Sequence, residues 1–474
     1  MRYARIAREA ALLVVAGVFV LLLSGTTSPL GPWYGGDSAL FRVIGTAMAQ
    51  GEVLYLDIWD HKGPVLFLFQ WLAQLLIPGR MGLFVVQVLL LYASLSMITA
   101  FARRFVGPLL SIAVLACTLG YLAPAYEHGN LSEEFSMPFI VLALVILTRE
   151  WVTGRRPSPW LFGVAGAAFA AVVFIRINNA LPIFAAFVAC FVWMLVARRP
   201  FLRPLLFAVG GFFAVTAAIV AGFALAGALV PMLDATFFFN LRYARNDSVS
   251  AERLFANGYA YVALAGIVAP LIGGVVDAQH RRRGSFLLLG WCLAAATALA
   301  LLMSSTGYFH YLQVAVPGVA VGAALALQAV TRRLQVHVLA ATLAVALPLV
   351  AVNVAREQIA RERSQEPAYA AAVADILDGV PEADRDAVYA WNVNPKYFLM
   401  ADTLPVQRYF TMQEWWGSAD ERVLDEALGY VRAEQPQWIL TSSVGDPRMQ
   451  EILAEDYVEK ARNASFVLFE RATG

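Results

Sequence analysis

Long apolar runs separated by short polar turns recur along most of the chain. The first run, Ala10 to Leu23, follows Arg2, Arg5 and Arg8, a pattern that resembles a signal peptide. No clean small-x-small cleavage site follows it, so we interpret it as a retained first helix. At roughly 20 residues per span, the pattern predicts about eleven transmembrane helices. The further runs lie near 81–101, 105–123, 135–148, 160–175, 180–197, 204–229, 258–277, 285–303, 312–330 and 336–354.

Arginines orient these predicted spans, because they fall at every second turn between them. Cytoplasmic loops are enriched in Lys and Arg, so the arginine-bearing turns and the N-terminus are expected in the cytoplasm. With an odd number of spans, the chain after about Asn353 then lies outside. The clusters are Arg2/Arg5/Arg8, Arg103/Arg104, Arg149/Arg155/Arg156, Arg198/Arg199/Arg203, Arg281/Arg282/Arg283 and Arg332/Arg333.

The apolar run from Val65 to Ile77 does not fit as a span. About 13 residues of helix reach roughly 20 Å, against a hydrocarbon core of about 30 Å. Counting it would also place Arg103 and Arg104 on the wrong side of the membrane. We therefore predict an interfacial helix at the outer surface. It belongs to a long first external loop, 26–80, that carries one or two helices of its own.

Composition changes sharply after about residue 356, where charged residues become frequent. Strand-like and helical runs alternate there, which predicts a small α/β domain outside the membrane. The fold expected is an α-helical multi-pass membrane domain, 1–355, followed by an extracytoplasmic α/β domain, 356–474. The strand-like runs are Ala387–Trp391, Trp438–Thr441 and Phe466–Phe469, and the helical ones are Ala368–Leu377 and Ala419–Arg432.

Overall composition agrees with a membrane protein. Hydrophobic residues make up 60% of the 474 positions and charged residues 15%, against about 45–50% and 25% in soluble domains. The 35 basic and 34 acidic side chains nearly cancel, which argues against a nucleic-acid partner. Three cysteines inside apolar runs make neither a disulfide framework nor a thiolate metal site. A soluble enzyme, a secreted disulfide scaffold and a disordered protein are excluded.

Polar residues that could carry chemistry gather in the predicted outer loops. Carboxylates, a histidine and a lysine beside the membrane surface suit acid–base chemistry on a membrane-tethered substrate. In the first outer loop they are Asp37, Asp57, Asp60, His61 and Lys62, and in the second they are Glu133 and Glu134.

Each of these groups also has a purely structural interpretation. Asp37 precedes a run with helical periodicity, so it could serve as the N-cap of that helix. The run from Asp57 to Lys62 could be a solvated turn with mutual ion pairs. Glu133 and Glu134 could complement a helix N-terminus.

Arg176 lies on the predicted outer side, where the positive-inside rule disfavours arginine. This position suggests an anionic partner, with snorkelling to lipid headgroups as the alternative. Arg242 and Tyr243 follow the seventh span, and His310 follows the ninth. Four tryptophans of the C-terminal stretch could stack on sugars or pack in its core: Trp391, Trp415, Trp416 and Trp438.

These motifs resemble the GT-C glycosyltransferases. An aspartate just after the first span, Asp37, followed by the run Asp57-x-Trp59-Asp60-His61-Lys62-Gly63-Pro64, is similar to bacterial family 39-like members of the protein mannosyltransferase and aminoarabinose transferase group. The likeness extends over the whole chain. It includes Gly129–Phe135, the segment around Arg176, His310-Tyr311 and the C-terminal α/β domain.

The resemblance implies a bacterial enzyme of the plasma membrane. It would be a hexosyl- or pentosyltransferase that moves a sugar from a polyprenyl-phosphate donor to an acceptor hydroxyl on a glycan, lipid or protein. By position, Asp37 would be the general base, and Glu133 or Glu134 would help to place donor or acceptor. The donor sugar is not specified by the resemblance.

Physical chemistry adds expectations about the mechanism. A carboxylate can take the proton of an acceptor hydroxyl, and direct displacement then inverts the anomeric centre. Cations would stabilise the departing phosphate. We expect no required cofactor or metal, although the acidic loops leave a divalent cation open. The phosphate candidates are Lys62, Arg176, Arg242 and His310, and the wider substrate-binding set adds Asp57, Asp60, His61 and Tyr243.

Two other functions remain as alternatives at this point. A transporter or flippase of lipid-linked sugars would place ionisable residues near mid-membrane, and a visible internal repeat would favour it. A ligase or polymerase that joins two lipid-linked glycans could use the same outer loops.

Overall fold

The structure is a computed structural model that describes residues 2–31, 33–243, 255–281, 284–303 and 307–472. Arg282 and Arg283 of the predicted cytoplasmic cluster lie outside these ranges. Each of the eleven predicted apolar runs is helical within the described residues. The corresponding helices are Arg2–Leu23, Arg80–Ala102, Pro108–Ala125, Ser132–Leu147, Pro159–Val173, Leu181–Val196, Leu202–Leu225, Tyr259–Arg281, Ser285–Met303, Val316–Leu327 and Gln335–Glu362.

Nine helices in the described part of the chain are long and apolar enough to cross a membrane. The two predicted spans that fall short of this are Ser132–Leu147, with 16 residues, and Pro159–Val173, with 15. At 1.5 Å per residue these two reach only about 22–24 Å. The protein is a multi-pass membrane protein.

Two helices, Asp37–Ala49 and Pro64–Leu76, form the body of the first long loop. They pack closely, because a Cβ added at Gly45 would lie 2.8 Å from the backbone carbonyl carbon of Gln70. Phe41 and Phe67 meet edge to face at 5.8 Å between ring centroids. The prediction of helices in this loop is confirmed. The polar turn lies between two helices that pack against each other.

Short irregular helices connect several of the longer ones. A single π-helical turn, Asp234–Phe239, continues the helix Leu229–Leu233 and leads into Asn240–Tyr243. Such turns are rare and occur frequently at functional sites. The remaining short helices are Arg149–Thr153, Ile177–Ala180, Phe309–Ala315 and Glu382–Ala387.

The C-terminal stretch has the predicted α/β character. Strands β1 (Tyr389–Trp391), β2 (Trp438–Thr441), β3 (Tyr457–Arg462) and β4 (Val467–Arg471) form one sheet in the order β1-β2-β4-β3. The pairing of β1 with β2 is parallel, and the other two pairings are antiparallel. Five helices accompany the sheet: Glu366–Leu377, Lys396–Ala401, Gln413–Ala419, Glu421–Glu434 and Pro447–Asp456.

The chain divides into two compact units. The first comprises Met1–Ser24, Phe84–Gly222 and Asp247–Ile359, and the second comprises Gly25–Leu83, Phe223–Asn246 and Ala360–Gly474. The second unit therefore joins the first long loop and the segment around the π-helical turn to the C-terminal α/β stretch. The predicted border between residues 355 and 356 stays a prediction.

Candidate active site

Most of the predicted site residues lie in three groups of polar contacts. The lysine cluster is Asp37, Asp60, His61, Lys62 and Asn240. The ion network is Asp234, Arg242, Asp420 and Arg422. Both of these groups belong to the second unit. The arginine cluster is Glu127, Glu133, Arg176, His310 and Tyr311, and it belongs to the first unit.

Lys62 is the centre of the lysine cluster. Its Nζ lies 3.8 Å from Asp37 Oδ2, 3.7 Å from Asp60 Oδ1 and 3.3 Å from His61 Nε2. The side chain of Asp60 is fully buried and that of Lys62 is 10% exposed, whereas that of Asp37 is 46% exposed. The cluster thus holds one shielded ammonium and one carboxylate that a substrate can reach.

Asp37 is the first residue of its helix, and Gly36 occupies the N-cap position. The N-cap interpretation of Asp37 is therefore not what the structure shows. A carboxylate in the first helical turn still interacts favourably with the helix dipole. The backbone of a packed helix fixes the position of this accessible carboxylate.

The turn that carries Asp60, His61 and Lys62 is largely buried and ordered by hydrogen bonds, so it is not a solvated turn, although the mutual ion pair that this interpretation included is present between Asp60 and Lys62. Asp60 Oδ1 accepts from the backbone N–H of Lys62 at 2.8 Å, and the Tyr55 hydroxyl donates to the Lys62 carbonyl at 2.6 Å. Asp57 is different, because it is exposed and accepts from the Val53 N–H at 2.7 Å. Its contacts make it a turn residue.

Aromatic rings surround the imidazole of His61. The distance from the centroid of the imidazole to the ring centroid is 5.0 Å for Trp416, 5.4 Å for Tyr243 and 5.7 Å for Phe239. Trp391, Trp416 and Trp438 are buried, which favours the core-packing interpretation for them, whereas Trp415 is 49% exposed.

Arg242 belongs to the ion network, where two acids already neutralise it. Its Nη2 lies 3.0 Å from Asp234 Oδ2 and 2.8 Å from Asp420 Oδ2. Arg422 contacts the same two carboxylates, at 3.3 Å and 2.7 Å. Burial raises the pKa of Asp420, but the hydrogen bond from Arg422 and the charge of Arg242 outweigh it and hold that pKa below its usual value. A phosphate at Arg242 would compete with these acids.

The arginine cluster separates the roles of the two adjacent glutamates. Glu133 is buried, and its Oε1 accepts from Arg176 Nη1 at 2.8 Å. Glu134 instead accepts from the Leu131 backbone N–H at 3.0 Å and from Gln87 Nε2 at 2.6 Å. The helix-terminus interpretation is thus correct for Glu134, while Glu133 is the partner of the arginine.

Arg176 is also tied to the segment that carries His310. Its Cζ lies 4.3 Å from the ring centroid of Tyr311, which packs edge to face on His310 at 4.4 Å. Pairing with Glu133 and Tyr311 argues against simple snorkelling. Glu127 accepts from the backbone N–H groups of Phe309 and His310 and contacts His310 Nδ1. Burial raises the pKa of Glu127, but the bonds to His310 outweigh it and lower that pKa.

Sequence reasoning gave no role to Asn240 or Glu127. The signal for Asn240 was an amide next to three phenylalanines, Phe237–Phe239, where an unpaired polar group would be costly. Among the described residues, no group of three or more His, Cys, Asp or Glu side chains is arranged to hold a metal ion. The expectation of no required cofactor stays a prediction.

Comparison with solved structures supports the expected fold. A crystal structure of ArnT from Cupriavidus metallidurans bound to undecaprenyl phosphate matches 100% of this chain and 99% of its own, with a TM-score of 0.61 and 13% identity. Its apo form matches 98% of both chains, with a TM-score of 0.56 and 14% identity. The apo oligosaccharyltransferase of Archaeoglobus fulgidus matches 92% of this chain and 69% of its own, with a TM-score of 0.56 and 13% identity.

No family model matches the chain, and no curated protein matches it. At identities of 13–14% the structural likeness shows the fold alone. That fold is the GT-C membrane fold that the sequence motifs predicted. Function has to be argued from the site itself.

Proposed function

We propose that this protein is a membrane glycosyltransferase that moves a sugar from a polyprenyl-phosphate donor to an acceptor hydroxyl. The observation that carries this proposal is the lysine cluster, in which the accessible carboxylate of Asp37 lies 3.8 Å from the shielded ammonium of Lys62. A base for a hydroxyl and a cation for a phosphate are the two groups that this reaction needs.

The comparisons support the donor class. The full-length structural match is to a protein bound to undecaprenyl phosphate. A second structure of the archaeal oligosaccharyltransferase, with a TM-score of 0.50, contains a dolichol phosphate and an inhibitory peptide. Polyprenyl phosphates therefore occupy other proteins of this fold, and we propose the same carrier class here.

The reaction is proposed as a single displacement. Asp37 takes the proton of the acceptor hydroxyl while the oxygen of that hydroxyl attacks the anomeric carbon of the sugar. The bond between that carbon and the phosphate oxygen breaks, and the polyprenyl phosphate leaves with the electron pair. Attack opposite the leaving group inverts the anomeric centre.

Lys62 is the proposed stabiliser of the leaving phosphate. Burial strengthens an ion–phosphate interaction because fewer water molecules compete for the charge. Asp60 keeps the ammonium in place before the donor arrives, since the two groups lie 3.7 Å apart. The phosphate would join a lysine whose position is already fixed.

We assign the substrate-placing role of the second outer loop to Glu133 rather than to Glu134. The buried carboxylate of Glu133 pairs with the partly exposed Arg176, which fixes the guanidinium for an anionic or hydroxyl-bearing group. Glu134 is occupied in closing the helix terminus. We further propose that the C-terminal domain and the outer loops face the extracytoplasmic side of the plasma membrane, with the N-terminus in the cytoplasm.

The test is turnover of radiolabelled polyprenyl-phosphate sugars by the purified full-length protein in nanodiscs. A lipid and glycan extract of the source membrane supplies the acceptor. We compare the wild type with Asp37→Asn and with Glu52→Gln, which changes an exposed acid of the same loop.

The expected result is release of polyprenyl phosphate by the wild type and by Glu52→Gln, with loss of release in Asp37→Asn. Donor binding should persist in Asp37→Asn, because Lys62 is intact. Equal turnover by Asp37→Asn would contradict the assignment of the base. A wild type that neither binds nor turns over any such donor would contradict the proposed function.

A further inference from the structure

Asn240 is the one member of the lysine cluster whose side chain does not titrate. We propose that it is a positioning residue, which fixes His61 as the neutral tautomer protonated on Nδ1. The Nε2 lone pair of His61 then accepts a hydrogen bond from Lys62 and aims its ammonium at the donor phosphate. This role of Lys62 rests on the function proposed above, whereas the tautomer itself does not.

The orientation of the Asn240 amide follows from its partners. Its Nδ2 lies 2.8 Å from the carbonyl oxygen of His61, 3.2 Å from that of Ala235 and 2.9 Å from that of Thr236. Carbonyl oxygens only accept hydrogen bonds, so the amino group must face them. The amide oxygen of Asn240 therefore faces His61.

The tautomer of His61 follows from that orientation. Asn240 Oδ1 lies 2.8 Å from His61 Nδ1, and an amide oxygen can only accept. Nδ1 must therefore carry the proton. In a neutral imidazole the other nitrogen, Nε2, then presents a lone pair.

That lone pair meets the ammonium of Lys62. The distance from Nε2 to Nζ is 3.3 Å, and an ammonium has donors but no acceptor. A second proton on His61 would turn Nε2 into a donor that faces the donating ammonium of Lys62. It would also place two positive charges next to each other in a buried site. Lys62 and Asn240 thus favour the same neutral form of the ring from opposite sides.

The backbone around Asn240 supports this arrangement. Asn240 directly follows the π-helical turn Asp234–Phe239, and its amide binds two carbonyl oxygens of that turn. The same segment places the rings of Phe239 and Tyr243 against the His61 imidazole. The irregular turn therefore delivers both the amide and the packing that hold the imidazole.

Other charged or titratable groups near His61 would contribute to any pH dependence of donor binding. On the loop and its first helix they are Lys62, Asp60 and Asp37. On the segment 234–243 they are Asp234, Arg242 and Tyr243, and on the Trp416 helix Glu414 is bonded to Trp391 Nε1 and the Gly445 N–H. Among these, Lys62 contacts the imidazole itself, and Asp37 and Asp60 contact Lys62.

The substitution Asn240→Asp tests the proposal. A carboxylate opposite Nδ1 would stabilise the doubly protonated imidazole, and that cation would repel Lys62. The added carboxylate disfavours a bound phosphate at pH 8, and protonation of His61 neutralises it at pH 6, so we expect affinity for undecaprenyl phosphate to rise by about tenfold between pH 8 and pH 6 beyond any change in the wild type. Binding is measured across this range on the full-length protein in nanodiscs.

The matched controls are His61→Gln and the double variant Asn240→Asp/His61→Gln. Glutamine offers one acceptor and one donor group but has no pKa near neutrality. The double variant should therefore lose the added pH dependence, whereas a purely structural defect of Asn240→Asp would persist in it. Melting temperatures show whether each variant folds.

The tautomer is read independently from ¹⁵N NMR of the histidine-labelled wild type, with His61→Gln used to assign the signal. A neutral ring protonated on Nδ1 is expected, and a ring protonated on Nε2 would overturn the proposal. A pH profile of Asn240→Asp identical to that of the wild type would also overturn it. A wild type that binds no undecaprenyl phosphate would contradict the proposed function and leave the NMR result to decide the tautomer.

Discussion

The lysine cluster and the arginine cluster differ in how their charges are matched. In the arginine cluster both carboxylates are held by close contacts, since Glu133 lies 2.8 Å from Arg176 and Glu127 is hydrogen-bonded to the ring and the backbone N–H of His310. In the lysine cluster one ammonium lies 3.7–3.8 Å from two carboxylates, of which only Asp37 is open to solvent. The first arrangement is closed and well suited to holding structure, and the second leaves room for a substrate.

This difference indicates which of the two clusters takes part in the chemical step. Groups that react must exchange partners during turnover, whereas a close pair with one buried member, such as Glu133 and Arg176, resists exchange because separation would leave a buried charge without its partner. This contrast supports the proposal that proton transfer and phosphate stabilisation take place at the lysine cluster. The arginine cluster is assigned to fixing the second outer loop and to placing substrate.

Among the further substitutions that test this comparison, replacing Lys62 by methionine should have the largest effect. Loss of a preorganised cation at the leaving group is expected to lower kcat by about 100- to 1000-fold, by analogy with the loss of one oxyanion-hole donor. The substitution also strips Asp60 of its buried partner, which costs about 3–5 kcal/mol when a buried pair is broken. Turnover and melting temperature are measured together.

The double variant Lys62→Met/Asp60→Asn separates these two effects. It removes the stranded charge, so the melting temperature should recover while turnover stays low. Recovery of turnover in the double variant would show that Lys62 acts only in folding, and the distinction between the two clusters would fail.

The two glutamates of the second loop give the next largest effect. Glu133→Gln removes the charge that faces Arg176, and we expect turnover to fall about tenfold or more. Glu134→Gln should change turnover less than about twofold, because a glutamine at this position can still accept from the Leu131 N–H. The ratio of the two losses is measured under one set of conditions. Equal losses would contradict the assignment of Glu133.

Much of the fold was predictable because membrane insertion depends on local hydrophobicity. Eleven apolar runs became eleven helices, and the thirteen-residue helix Pro64–Leu76 matches the predicted interfacial segment within one residue. In the C-terminal domain the strands β1, β2 and β4 were found, and the first two of them are buried along their whole length. Strand β3 was missed, because half of its side chains are charged and most of them are exposed, so it contains no buried apolar run.

The sequence pattern indicated single members of the candidate clusters, such as Asp37, Arg176 and His310, but it indicated contacts only between residues that are neighbours in the sequence. Asp60, His61 and Lys62 lie next to one another, so a pattern could find them. Asn240 is 179 positions from His61, and no local pattern indicates that contact. The separate roles of Glu133 and Glu134 depend on which way each side chain points from a helix terminus. Two adjacent glutamates in the sequence do not reveal these directions.

The smallest predicted effect concerns the ion network. It tests whether Arg242 belongs with the substrate-binding groups or with the structural pairs. Asp420 is the N-cap of the helix Glu421–Glu434 and lies 2.8 Å from Arg242. Asp420→Asn retains a good capping side chain but removes one of the two acids that neutralise Arg242. If Arg242 is a phosphate ligand, affinity for undecaprenyl phosphate should rise by about two- to fivefold, since an anion then competes with one acid fewer. Unchanged or weaker binding, with the melting temperature preserved, would remove Arg242 from the donor site and class this network with the closed pairs of the arginine cluster.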